Sequence, residues 1–177
     1  MKRLTRLILS LALLAFGFAL SACSNNTPTG PSANSSTRFT ATLLPANEVP
    51  AIVGPEAAGS GTATITLNLT KDANGYITAA TVDFSVTAQG FPNGTALTGA
   101  HIHPGPAGTN GGILISTGLT AGEVVFPNGA GSFTKSGITI TVDQANSILA
   151  NPSGFYFNIH TAANSGGVAR GQLVLAQ

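Results

Sequence analysis

Cysteine is almost missing from this chain: Cys23 is the only one in 177 residues, so no internal disulfide can form and the folded part must rely on its own apolar core. Charge is scarce as well, at 7% of residues, and tryptophan is absent. Beyond residue 6 there is no Lys/Arg cluster. Arg38, Lys71, Lys135 and Arg170 stand against Glu48, Glu56, Asp72, Asp83, Glu123 and Asp143, four basic groups against six acidic ones, a net charge of −2. A slightly acidic body of this kind has no electrostatic footprint for nucleic acid, and that class is excluded. One apolar run, residues 7–20, stands out, and it is too short for a comfortable membrane span. Histidine is limited to His101, His103 and His160, so any imidazole chemistry must use these three.

What is present at the N-terminus reads as an address. Lys2, Arg3 and Arg6 precede the apolar run, which ends in the small residues of "LSAC", the layout of a secretory signal over residues 1–22. The tetrapeptide resembles the bacterial lipobox, which implies cleavage before Cys23 and a diacylglycerol on its sulfur. A multiply acylated cysteine, at about 0.8 kcal/mol per buried CH₂, is a firm membrane anchor. The expected partner is thus the membrane, and the expected location extracytoplasmic, on the cell envelope. Ser24 in place of aspartate suits the outer membrane of a two-membrane cell. Residues 24–37, "SNNTPTGPSANSST", carry no large apolar side chain and read, with Cys23, as a flexible tether. Its reach is roughly 20 Å as a coil and about 46 Å stretched.

From Arg38 to Gln177 one domain is expected, and it reads as strand after strand. In "GTATITLNL", residues 61–69, Ala63, Ile65, Leu67 and Leu69 alternate with hydroxyl and amide side chains. "KDANG" supplies a turn, and Val82, Phe84 and Val86 resume the alternation in a hairpin partner. Shorter strands follow at "TALTGAHIH", "GILIS", "EVVF", "SFTKSGITI", "FYFNIHT" and "RGQLVLA". The pattern predicts an all-β, antiparallel Greek-key sandwich or barrel, of superoxide-dismutase-like or immunoglobulin-like architecture. One short helix is expected near 142–150, where Thr141 and Gln144 fit a capping box and Asn151–Pro152 stops the run.

Strand phase then places the polar residues. His101 and His103 share one face, and Ala100 and Ile102 take the other. Phe155, Phe157 and Ile159 point to the core, which turns Tyr156, Asn158 and His160 away from it. In the last strand Leu173 and Leu175 are expected to be buried and Arg170 and Gln172 to face outward. Each of these imidazoles, and Arg170, lies at a strand end beside a Gly-rich segment.

The ordered motifs "FTATLLPANEVP", "GAHIHPGPAGTNG" and "FYFNIHTAANSGGVARGQL" resemble the chordin-type CHRD domain over about residues 38–177. The resemblance implies polar signature positions at Glu48, His101, His103, His160 and Arg170. Two departures are visible: a second proline is missing from "NEVPAIV", and Val168 and Ala169 stand where an acidic and an aliphatic residue are usual. In chordin the whole protein binds growth-factor ligands; that partner does not carry over to a bacterial lipoprotein, and an extracellular protein ligand stands as an expected partner without an identity.

Two functional readings follow. In the first the domain is a binding or structural module without catalysis, whose His101, His103, His160, Arg170 and Glu48 form a hydrogen-bonded network fastening loops. In the second the chain is a copper- or zinc-binding protein, because H-x-H on a strand aims two imidazoles into one hemisphere and His160 completes a three-nitrogen set. Paired histidines and a nearby arginine are similar to the metal site of Cu/Zn superoxide dismutases. The two-metal arrangement of those enzymes needs more histidines than this chain has. Hydrolase chemistry finds no G-x-S-x-G turn, and the scattered acids offer no facing carboxylate pair.

Overall fold

The computed structural model describes residues 33–177. The expected signal, the lipidated Cys23 and the tether up to residue 32 lie outside the described residues. Two antiparallel sheets form the body. The first has the order β10-β1-β2-β3-β7, from β1 (Ala33–Leu43), β2 (Ser60–Lys71), β3 (Ile77–Gln89), β7 (Gly131–Ile140) and β10 (Val174–Leu175). The second has the order β5-β4-β8-β9, from β4 (Thr95–Pro104), β5 (Ile115–Ser116), β8 (Phe155–Thr161) and β9 (Ala169–Gln172), with β6 (Val125–Phe126) also pairing β4.

Alternation makes the core. Ala63, Ile65 and Leu67 on β2 are fully buried, and their register neighbours continue the apolar layer: Phe39 and Phe84 flank Ile65, and Ala41 and Val86 flank Ala63. The second sheet contributes Ala100, Ile102, Phe157 and Ile159, all fully buried. Phe84 and Phe157 meet across the sandwich with ring centroids 5.6 Å apart. The β2–β3 turn is held by the Asp72 carboxylate, which accepts from the backbone N–H of Asn74 and Tyr76, both at 2.9 Å. Gly75 completes it at φ +86°, a conformation that disfavours any side chain.

The architecture is an open sandwich and not a closed barrel. The sheets meet at an isolated bridge between Leu44, just past β1, and Arg170 of β9. Helix α1 (Val142–Ala150) is capped as the sequence indicates: Thr141 Oγ1 accepts from the Gln144 N–H at 3.1 Å and the Gln144 side chain accepts from the Thr141 N–H at 2.8 Å. Its Ala145 and Ile148 join the core. Among the described residues no helix is long and apolar enough to cross a membrane.

Two expectations need correction. Residues 33–37, read as the end of the tether, are the start of β1, with Asn34 opposite Thr70 and Ser36 opposite Asn68. The segment buries nothing, as its composition indicates, but a ladder is made of backbone groups and needs no apolar side chain. Leu175, expected inside, is 58% exposed. The last strand divides at the buried Leu173: β9 pairs with β8 in one sheet and β10 with β1 in the other, so the phase set by Arg170 and Gln172 does not carry through to Leu175.

Candidate functional site

The outer face of the second sheet carries the polar layer that strand phase places there. Register aligns it in rows. His101 of β4 stands opposite Asn158 of β8, which stands opposite Arg170 of β9; one step along, His103, Tyr156 and Gln172 form the next row. His160 faces Gly99 in the same register, which slips only beyond this pair, between Gly99 and Leu97. The glycine is needed for space, because a Cβ at position 99 would lie 2.9 Å from the Cε1 of the His101 ring.

This outward face is not a solvated surface. Arg170 and Asn158 are each 1% exposed, His103 6% and His160 7%, with His101 half-buried. Three segments roof the layer, spanning residues 44–58, 105–112 and 162–167, and polar side chains bind each of them. Arg170 Nε donates to the Asn47 carbonyl at 2.6 Å, and Nη1 donates to the Thr109 carbonyl and Asn110 Oδ1, both at 2.9 Å. Gln172 Nε2 reaches the Gly105 carbonyl at 3.0 Å. The Gly111 N–H donates to the Tyr156 hydroxyl at 3.2 Å. A cavity of about 330 Å³ opens among the roof segments, lined in part by Glu48, Asn110, Ser165 and Gly167.

All three histidines converge, with one ligating nitrogen from each lying within 4.8 Å of the others. His101 Nδ1 is 2.9 Å from His160 Nε2. His160 Nδ1 lies 2.9 Å from the Ser165 carbonyl, and His103 Nδ1 lies 3.0 Å from the Gly111 carbonyl. A carbonyl only accepts, so both Nδ1 atoms carry protons and both Nε2 atoms are lone-pair donors. His160 Nε2 receives the proton of His101 Nδ1. His103 Nε2 is buried without any partner.

Burial holds His101 and His160 neutral. The His101 pKa falls to about 4, chiefly through desolvation and then through the neighbouring His160 and His103. That of His160 falls for the same first reason, opposed by its bond to Ser165. Glu48 moves the other way, up to about 7, because desolvation outweighs the pull of Arg170. The Arg170 Nε–Glu48 Oε2 separation of 3.9 Å makes this a loose pair, Nε and Nη1 being turned to loop groups while Nη2 has no partner.

The structure thus brings Glu48, His101, His103, His160 and Arg170 into one layer. Residues that sequence reasoning left without a role also belong to it. Asn158, whose Nδ2 and Oδ1 both lack partners, sits between His101 and Arg170, and strand phase already placed it on this face. Glu56, 9% exposed, accepts from Thr161 Oγ1 at 2.9 Å and from the Asn164 amide, fixing the 162–167 roof; nothing in "PEAA" marks it in sequence. Cys23 lies outside the described residues.

Comparison with known proteins gives one result. A family model described as CHRD domain matches residues 39–173. No curated protein and no solved structure gives a significant match.

Proposed function

The chain belongs to the CHRD domain family, and from that premise we propose that it is a lipid-anchored, extracytoplasmic binding module without catalytic activity, whose ligand is one copper or zinc ion held by His101, His103 and His160. The observation that carries the metal reading is His103 Nε2. An imidazole nitrogen buried with no hydrogen-bond partner costs about 1–3 kcal/mol, and a metal ion at that position removes the cost. The backbone carbonyls of Gly111 and Ser165 support the same reading, because they fix the tautomers that leave the Nε2 lone pairs of His103 and His160 facing the cluster. Two nitrogens 2.0–2.1 Å from a tetrahedral ion lie about 3.3 Å apart. The His101–His160 pair at 2.9 Å reaches that spacing by opening a few tenths of an ångström and moving the His101 proton to Nε2.

The loop-fastening reading has support of its own in the bonds of Arg170, and the two coexist in one layer. A hydrogen-bonded network accounts for the Nδ1 side of the histidines and leaves His103 Nε2 stranded. The test is the metal content of the detergent-solubilised full-length chain carrying Cys23→Ala, which removes the one competing thiol. One equivalent of copper or zinc, absent from the additional His103→Ala variant, is the expected result. A folded chain that binds neither ion rejects the metal reading in favour of the network alone.

A further inference from the structure

Resting on the three-histidine reading, we propose that the ion this site suits is cuprous copper, Cu(I), in preference to Cu(II) or Zn(II). The argument is one of charge. Desolvation of an ion scales with the square of its charge, so a divalent ion entering a buried layer uncompensated loses about four times what a monovalent one loses. Sites for buried divalent ions offset this with anionic ligands, or with carboxylates bonded to the outer nitrogen of a ligating histidine.

Neither device occurs in this layer. Among the described residues the ligand cluster holds three histidines and no cysteine or carboxylate. The outer nitrogens of His103 and His160 go to the backbone carbonyls of Gly111 and Ser165, which are neutral partners where a carboxylate would add a charge. The next group along the His101 row is the Asn158 amide, and after it comes the Arg170 guanidinium, a buried cation. Neither of the layer's acids joins the ligand cluster: Glu48 stands on the arginine's side, 3.9 Å from Nε, and Glu56 is bonded to Thr161 and Asn164. Uncharged donors, uncharged supports and a neighbouring cation together penalise a second positive charge on the ion. Imidazole suits copper, and with no sulfur ligand in the cluster the preference for the monovalent ion rests on charge.

The experiment is an anaerobic titration of the full-length Cys23→Ala chain in detergent with Cu(I) carried by a chromophoric cuprous chelator, alongside titrations with Cu(II) and Zn(II). One Cu(I) should bind, and His103→Ala should lose it. Relative to the free ions, Cu(I) should be favoured over Cu(II) by a hundredfold or more, which places the bound couple about 118 mV above the free one at 59 mV per decade. Zn(II) in hundredfold excess should leave Cu(I) in place. Asn158→Asp, which puts an acid beside His101, should narrow the Cu(I) preference at least tenfold. Equal or tighter binding of Cu(II) or Zn(II) at the same histidines overturns the charge argument and leaves the metal site standing. Absence of any bound ion in a folded chain overturns both. If Asn158→Asp does not fold, the ratio measured on the unsubstituted layer decides alone.

Discussion

The imidazole of His103 lies flat on the ring of Tyr156, with 5.0 Å between centroids and 7° between planes. The phenol also accepts from the Gly111 N–H, and His103 donates to the Gly111 carbonyl, so the two rings grip one residue of the roof from both of its backbone groups. The Arg170 guanidinium carbon stands 4.5 Å from the centroid of the Tyr156 ring. The tyrosine therefore positions a histidine and an arginine at once.

Removing the ring should be costly and removing the hydroxyl mild. Tyr156→Ala is expected to destabilise the domain by about 3–5 kcal/mol, the range for a buried aromatic. Tyr156→Phe keeps the stacking and should cost about 1 kcal/mol for the Gly111 bond. Denaturant titrations of the two variants beside the parent chain check the pair of values.

Arg170 is a fork, and lysine should not replace it. Its Nε and Nη1 donors satisfy carbonyls on two different roof segments from a position that is 1% exposed. A single ammonium cannot reach both. Arg170→Lys and Arg170→Ala should both lose about 2–5 kcal/mol, and protease cleavage within 44–58 or 105–112 should accelerate in each. Lysine restoring full protection would show that charge alone suffices.

Gly99→Ala should separate the proposed metal site from the fold. The added Cβ meets the tip of the His101 ring at 2.9 Å and can be relieved by turning that side chain. Stability should change little, while metal stoichiometry or affinity falls at least tenfold. Unchanged binding would mean that the His101 ring is free to move without consequence.

The pH dependence of stability contains two opposed contributions. The raised pKa of Glu48, about 7 against an ordinary 4.5, means that the fold prefers the protonated carboxyl: its contribution is complete below about pH 4.5 and is lost as pH rises through 7. The depressed pKa of His101, about 4 against 6.5, works in the other direction: its contribution is present above 6.5 and is lost as pH falls through 4. Glu48→Gln should therefore raise Tm relative to the parent by an amount that grows between pH 4.5 and 7. A difference that is constant with pH would contradict a protonated Glu48 in the folded chain.

The sheet order could not be read from local pattern, but the faces could. Alternation in "AHIHP" and "FYFNIHT" is a property of the strand itself, so it placed His101, His103, Tyr156, Asn158 and His160 on one side before any partner strand was known. Whether that side was wet depended on groups far away in sequence: Asn47, Thr109 and Ser165 meet the layer only after the chain has folded, and no local signal announces a roof. The same limit explains the two misplacements. Ser35 and Ser36 pair because β2 happens to extend past them, and Leu175 is exposed because the chain changes sheets at Leu173. The capping box at Thr141 needed nothing distant, and it stands where the sequence puts it.

Strand β1 runs from Ala33 to the Leu44–Arg170 bridge, and at about 3.3 Å per residue that is a rise of roughly 36 Å. The row containing Arg170, Asn158 and His101 begins at its upper end. If residues that precede Ala33 moor the molecule, that rise sets the roofed histidine layer at the far end of the strand from the mooring.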